Sequence, residues 1–111
     1  YNSPTLNIKN FPSNQAISSK TCAVLRNYMK NVVENGTGFN AQYKSQTAGK
    51  TATAQSGIYV DGKEQLNTWF VGFYPYDNPK YSIVVMREGG KSGAGDCCPV
   101  FRTIVEKIDN M

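Results

Sequence analysis

Three consecutive strand-like runs, separated by turn residues, restrict the fold of this chain more than any other feature. The second and third runs, LNTWFVGFY and YSIVVMR, are rich in aromatic and β-branched residues. Asp61-Gly62 is a hairpin-turn signal between the first two runs, and proline, asparagine and aspartate at 75–79 form the next turn. The pattern predicts an antiparallel meander over residues 47–88. Because YSIVVMR is apolar on both faces, we expect the third strand to be covered on both sides.

A helical pattern precedes the meander and predicts an amphipathic helix over residues 18–35. Its apolar residues recur at three- and four-residue steps: Cys22, Leu25, Met29, Val32 and Val33. Ser18 or Ser19 can cap its start. Asn35-Gly36, followed by Gly38, is expected to end it through left-handed residues.

A second helical pattern follows the meander and predicts a closing helix over residues 98–109, opened by Pro99. Its apolar stripe consists of Val100, Phe101, Ile104, Val105 and Ile108. Residues 1–17, where only Leu6 and Ile8 alternate, predict an extended lead-in. The fold class is therefore α+β, a three-stranded antiparallel meander packed with two amphipathic helices.

Length and charge exclude several classes of protein. The 111 residues suffice for one domain, and the net charge of +4 comes from basic residues that are scattered rather than clustered. The sequence therefore predicts no nucleic-acid partner. No apolar run is long enough to span a bilayer, so no membrane contact is expected of this segment. Because the chain begins at Tyr1 rather than methionine, we expect a processed or excised piece.

The side chains available for catalysis or metal binding are few. The chain has no histidine, which excludes Ser-His-Asp and Cys-His arrangements and most zinc sites. Cys22 and the neighbouring Cys97 and Cys98 do not form a disulfide pattern and are interpreted as small buried hydrophobic residues. No metal and no cofactor is expected.

The segment AGKTATAQ at residues 48–55 is the candidate site. It is small, rich in hydroxyl groups and centred on one lysine. On an extended strand, Thr51 and Thr53 point to one face while Lys50 and Ala52 point to the other. Backbone N–H groups, two hydroxyls and a nearby positive charge suit a carboxylate or a peptide carbonyl.

The sequence GKT also invites comparison with the phosphate-binding loop G-x-x-x-x-G-K-[ST]. That motif needs a glycine five residues before Gly49, where this chain has Lys44. It also needs a strand before it and a helix after it, whereas here a polar connector precedes and strand-like sequence follows. We therefore reject a phosphate-binding loop.

A longer comparison is more specific. GKTATAQ resembles the K-[ST]-G-T-A-Q box of the penicillin-binding protein transpeptidases. Three further segments resemble the same family in the family's order: VVENGTG before the box, then WFVGFYPYDNPKYSIVVM and GKSGAGDCCPVFRTIVEKI after it. The resemblance covers most of the chain from about Ser18 onward, and we expect residues 1–111 to be the C-terminal portion of such a domain.

The resemblance implies part of a peptidoglycan D,D-transpeptidase, which is acylated through a serine by wall stem peptides and by β-lactams. By the same resemblance, Lys50 maintains the electrostatics and proton traffic of the site. The hydroxyls of Thr51 and Thr53 hold the ligand carboxylate, the Thr53 N–H is an oxyanion donor, and Gln55 lines the strand. Such enzymes work outside the cytoplasmic membrane, usually tethered by an N-terminal helix, so an extracytoplasmic location is expected.

Two departures from the family pattern matter. Ala52 takes the place of the box glycine, and its methyl group either narrows the ligand slot, at a cost of about 1–3 kcal/mol, or turns away harmlessly. In addition, no serine is followed by lysine three residues later or by asparagine two residues later, so both S-x-x-K and S-x-N are missing. We expect the missing N-terminal part of the domain to carry them and the isolated chain to be inactive. The alternative is a non-enzymatic module that binds wall peptides non-covalently.

Overall fold

The structure, a computed structural model, describes residues 13–111. Helix α1 (Ser19–Asn35) is followed by a 3-10 turn (Phe39–Ala41) and by three strands, β1 (Ala48–Val60), β2 (Lys63–Tyr74) and β3 (Tyr81–Gly90). The short helix α2 (Gly93–Asp96) and helix α3 (Cys98–Asp109) complete the chain. The expected strand-like alternation of Leu6 and Ile8 lies outside the described residues.

The three strands form one antiparallel sheet in the order β1-β2-β3, which confirms the predicted α+β class and the meander. Asp61 and Gly62 both have positive φ, 51° and 78°, as a two-residue hairpin turn between β1 and β2 requires. The register of β1 against β2 shifts between Gln55 and Tyr59, and pairing resumes at Tyr59 with Glu64.

The core lies on one face of the sheet, between β2 and the helices. Phe70 of β2 and Phe101 of α3 are fully buried and meet edge to face, with ring centroids 4.7 Å apart. Val33 of α1 and Val105 of α3 are buried in the same cluster. Gly72 makes room for this contact, because a Cβ there would lie 2.9 Å from the Phe101 ring and 2.5 Å from the Ala48 carbonyl oxygen.

The opposite face of the sheet is open, and the prediction that the third strand is covered on both sides was wrong. Val84 and Met86 of β3 are 59% and 43% exposed, and Val71 of β2 is 42% exposed. Helix α1 reaches this face at Phe73, whose ring centroid is 5.9 Å from the guanidinium carbon of Arg26, yet Val71, Val84 and Met86 stay exposed.

Helix α1 begins as predicted and ends differently. The Ser18 hydroxyl caps its start by accepting from the Thr21 amide at 3.1 Å. The expected left-handed ending was wrong, since Gly36 is extended with φ −129° and Gly38 has φ −89°. The space at position 36 favours glycine instead, because a Cβ would make a tight contact of 3.0 Å with the Val32 carbonyl oxygen.

The predicted apolar stripe of α1 is only partly buried. Val33 is the one buried residue of this helix, Met29 is half-buried and Leu25 is 45% exposed. In α3 the stripe is better buried at Phe101 and Val105. Along residues 13–111, no helix combines the length and the apolar character needed to cross a membrane.

The segment after β3 is more ordered than a glycine-rich loop. Strand β3 continues to Gly90, and α2 forms a further helical turn before α3. Pro99 lies in the first turn of α3, as predicted. Cys97 and Cys98 are buried free thiols, as expected, and removal from water raises the pKa of Cys98 to about 11. Cys22 is half-buried.

Candidate functional site

The candidate segment 48–55 is the first part of β1, an edge strand of the three-stranded sheet. Ala48 and Gly49 are buried, Thr51 is half-buried, and residues 52–55 are exposed. Because β1 pairs only with β2 among the described strands, alternate backbone groups along this stretch point away from the sheet. An extended ligand could therefore pair with this edge.

The two threonines lie on the side of the sheet that carries the helices. Thr51 pairs with Phe70 and Thr53 pairs with Thr68, and both partners on β2 are fully buried. Directly paired residues of antiparallel strands share a face. The hydroxyls of Thr51 and Thr53 thus lie on one face and the Lys50 side chain on the other, as their spacing predicts.

Lys50 and Gln55 mark the two ends of the exposed stretch. Lys50 is exposed, and its Nζ donates to the Thr51 carbonyl oxygen at 2.9 Å. Within residues 13–111 Lys50 forms no ion pair, so its charge is available to a ligand. Gln55 pairs with Leu66 at the last regular position before the register shift.

Ala52 lies between the two threonines and is exposed. On the neighbouring strand β2, Ala52 pairs with Trp69. By strand alternation its methyl group is on the Lys50 face, away from the Thr51 and Thr53 hydroxyls. Any effect of this methyl on a ligand therefore arises on the lysine side of the strand.

Thr37 is a residue of the site that the sequence reasoning missed. Its Oγ1 lies 2.9 Å from the Oγ1 of Thr51, although Thr37 belongs to the turn after α1. The sequence signal that could have indicated Thr37 is its position in NGTG. Glycine residues on both sides of a position allow the backbone there to approach other segments closely. A hydroxyl in such a turn was not distinguishable from an ordinary loop threonine.

Helix α2 packs against the candidate segment of β1 near Thr51. A Cβ at Gly93 would clash with the Trp69 carbonyl oxygen and would lie 3.2 Å from both the Thr51 Cβ and the Ala52 carbonyl oxygen, so this approach requires glycine. The Asn40 side chain donates to the Ala94 carbonyl oxygen at 3.3 Å and joins α2 to the 3-10 turn. Thr51 thus lies beside α2 at Gly93 and beside the turn after α1 at Thr37.

Asp96 holds the turn before α2 in place, and sequence reasoning did not single it out. Its Oδ2 accepts from the amides of Ser92 and Lys91 at 3.0 and 2.6 Å and from Thr68 Oγ1 at 3.2 Å. Its Oδ1 pairs with Arg87 at 3.2 Å. The hydrogen bonds from these backbone amides lower the pKa of Asp96 below its ordinary value. The described residues contain no group of three His, Cys, Asp or Glu side chains arranged for a metal ion.

Comparisons with known proteins agree with the fold. The family model for the penicillin binding protein transpeptidase domain matches residues 8–106. The chain is 34% identical over 111 residues to the peptidoglycan D,D-transpeptidase FtsI of Buchnera aphidicola, which covers 92% of this chain and 19% of that protein. It is 33% identical over 93 residues to the peptidoglycan D,D-transpeptidase MrdA of Haemophilus influenzae. This match covers 70% of this chain and 14% of that protein.

A solved structure gives the same result. The D,D-transpeptidase domain of a peptidoglycan glycosyltransferase from Eggerthella lenta superposes with a TM-score of 0.71 at 29% identity, covering 86% of this chain and 21% of that one. The chain spans less than a fifth of the length of the curated relatives named above. With a family match across 99 consecutive positions, from residue 8 to residue 106, this chain belongs to the penicillin-binding protein transpeptidase domain family.

Proposed function

We propose that this chain supplies the substrate-binding strand of a peptidoglycan D,D-transpeptidase, which cross-links cell-wall stem peptides through a serine acyl-enzyme. The observation that carries the proposal is the edge of β1, where residues 52–55 are exposed beside one lysine and two threonines. A peptide that ends in a carboxylate can add to such an edge by main-chain hydrogen bonds. β-Lactams, which acylate the same serine, are proposed to bind at the same strand.

In this proposal the side chains of β1 recognise charge. Lys50 supplies a positive charge on one face and takes part in the proton traffic of acylation. Thr51 and Thr53 donate from their hydroxyls to the terminal carboxylate of the peptide or drug. A hydrogen bond to a charged group contributes about 1.5–3 kcal/mol, so loss of one hydroxyl is expected to lower ligand affinity by roughly 10- to 100-fold.

The backbone of the same strand stabilises the transition state. The Thr53 N–H is proposed to donate to the oxyanion that forms when the serine attacks the carbonyl carbon. One such donor contributes roughly 3–4 kcal/mol to transition-state stabilisation. Gln55, two residues further along the exposed stretch, lines the edge where the rest of the peptide lies.

The attacking serine is proposed to come from another part of the domain, because this chain has neither S-x-x-K nor S-x-N. The open face of the sheet supports this arrangement. Val71, Val84 and Met86 form an exposed apolar surface there, which is typical of a surface that another part of a protein covers. The complete enzyme is proposed to work at the extracytoplasmic face of the cell membrane, where its peptidoglycan substrate lies.

The proposal is tested by the rate at which a fluorescent penicillin labels the complete protein that contains this chain. We expect Lys50→Ala to lower the acylation rate more than 100-fold and Thr53→Val to lower it about 10-fold or more. Lys63→Ala is the matched control, because Lys63 is also exposed but lies at the start of β2. This control is expected to label at the wild-type rate.

The same experiment distinguishes an enzyme from a non-enzymatic module. Covalent labelling that depends on Lys50 supports a transpeptidase. If the complete protein binds a D-alanyl-D-alanine peptide without any covalent labelling, the binding module is the correct description. Labelling at the wild-type rate in Lys50→Ala would contradict the proposed role of this strand.

A further inference from the structure

A hydroxyl pair connects the turn after α1 to the candidate strand. Thr37 Oγ1 and Thr51 Oγ1 are 2.9 Å apart, which is hydrogen-bond distance, and either oxygen can be the donor. Thr37 is exposed and Thr51 is half-buried, so a ligand bound along the edge of β1 can approach this hydroxyl pair. Thr37 lies outside the segment 48–55 and has no role in the function proposed above.

The backbone on both sides of Thr37 is held in place. The amides of Gly36 and Gly38 both donate to the Val32 carbonyl oxygen at 3.0 Å. Gly38 is buried, and a Cβ there would lie 3.1 Å from Val32 Cγ1 and 3.3 Å from Phe70 Cε1. Since Phe70 is the strand partner of Thr51, the turn that carries Thr37 is packed on the same part of the sheet as Thr51.

The number of protons decides what this pair can do. A threonine hydroxyl has one proton to donate and can accept two hydrogen bonds, whereas an ionised carboxylate can only accept. If Thr51 donates to Thr37, its proton is not available to a carboxylate. Thr51 can donate to a ligand carboxylate and keep the 2.9 Å contact only when Thr37 is the donor.

We propose that Thr37 is a positioning residue that donates its hydroxyl proton to Thr51 and so directs the Thr51 proton toward the carboxylate of the ligand. The inference rests on the proposed function of β1 and adds a specificity determinant to it. Hydrogen bonds in such a chain polarise one another, so the Thr51 donor becomes stronger when Thr37 donates to it. The benefit depends on a negative charge at the ligand.

The test compares a β-lactam in its free-acid form with its methyl ester, using second-order acylation rate constants of the complete protein that contains this chain. Thr37→Val removes the hydroxyl and preserves the shape, and Thr37→Ser restores the donor. With Thr37→Val we expect the acid to react about three- to tenfold more slowly and the ester to react at the wild-type rate. Thr37→Ser is expected to restore the rate with the acid.

Two further variants make the result interpretable. Thr103→Val makes the same exchange on the exposed side of α3 and is expected to change neither rate. Thr51→Val removes the donor itself. The ratio of its acylation rate constant with the acid to that with the ester is therefore expected to fall at least as far as in Thr37→Val. Melting temperatures of all variants report any loss of folding separately.

The outcomes separate the inference from the function on which it rests. If Thr37→Val slows the acid and the ester equally, or slows neither, Thr37 does not direct the Thr51 proton and the inference is overturned. If Thr51→Val keeps the wild-type acid-to-ester ratio, Thr51 does not bind the carboxylate, and the proposed function of the strand fails together with the inference. A selective loss in Thr37→Val with recovery in Thr37→Ser supports it.

Discussion

At the scale of single residues, the contacts that the candidate strand can make depend on the directions of its small side chains and hydroxyl groups. Thr51 is in contact with Thr37 and with the region of Gly93, so its position is set from two sides. Ala52 is exposed on the opposite face together with Lys50. Because Thr51 and Ala52 differ in what they contact, we expect their substitution to affect different parts of the proposed ligand binding.

Replacing Ala52 by glycine is expected to speed acylation of the complete protein by a β-lactam. If the Ala52 methyl narrows the ligand slot on the lysine face, its removal recovers about 1 kcal/mol, or roughly fivefold in rate. Ala54→Gly is the matched control, because Ala54 is exposed on the same strand and its replacement also adds backbone freedom. Equal rates for Ala52→Gly and wild type would show that the methyl group is harmless.

At the scale of elements, polar side chains attach the helices and the α2 turn to the sheet. Asp96 attaches the turn before α2 to β2 through Thr68 and to β3 through Arg87. Asp109, the last residue of α3, accepts from Lys44 Nζ at 2.8 Å and from the hydroxyls of Tyr74 and Tyr43 at 2.6 and 3.0 Å. The end of α3 is thereby joined to β2 and to the segment before β1.

The Asp109 contacts predict a loss of stability in acid. Its hydrogen bonds, first that with Lys44 and then that with Tyr74, lower the pKa of Asp109 from 3.8 to about 2. Because the native pKa is below that of the unfolded chain, the unfolded state binds more protons and stability rises with pH in this window. The contribution is complete above about pH 4 and is lost as the pH falls toward 2.

This prediction is measured as the denaturant midpoint of the chain between pH 2 and pH 7. Asp109→Asn is expected to unfold at a lower denaturant concentration at pH 7 and to lose less stability than wild type between pH 4 and pH 2. Asp61→Asn changes the net charge by the same amount in an exposed turn, where asparagine also accepts a positive φ. If Asp109→Asn and wild type show the same dependence on pH, Asp109 does not stabilise the native state.

At the scale of the whole molecule, the sheet has one covered and one open face. The Phe70 side is packed against α3, whereas Val71, Val84 and Met86 on the other side are exposed. Strand β3 pairs only with β2 among the described strands, so one of its edges is also open. Both features leave apolar surface and backbone groups of the sheet without a partner among residues 13–111.

The isolated chain is expected to remain unlabelled by a fluorescent penicillin, whereas the complete protein that contains it is labelled. The reason is chemical, because no serine of the chain is followed by lysine three residues later. Intact-mass spectrometry after incubation with the drug checks the result, with unfolded chain as the control for non-specific reaction. A covalent adduct on any residue of the folded chain would contradict the prediction.

Local patterns were sufficient for the elements themselves. The runs rich in aromatic and β-branched residues, the Asp61-Gly62 turn and the Ser18 cap predict the meander and the start of α1, because each depends on residues a few positions apart. The resemblance of residues 48–55 to a family box also came from sequence alone. That Thr51 and Thr53 share a face follows from the period of two residues in a strand, whereas which face it is came from the pairing with β2.

What only the tertiary structure decided depends on residues far apart in the chain. The contact between Thr37 and Thr51, the bonds from Asp96 to the sheet and the closeness of Gly93 to β1 join segments whose sequences do not signal one another. The extent to which each apolar face is covered also had no local signal. Leu25 and Val84 are as apolar as Val33, yet only Val33 is buried, because burial depends on which elements pack together.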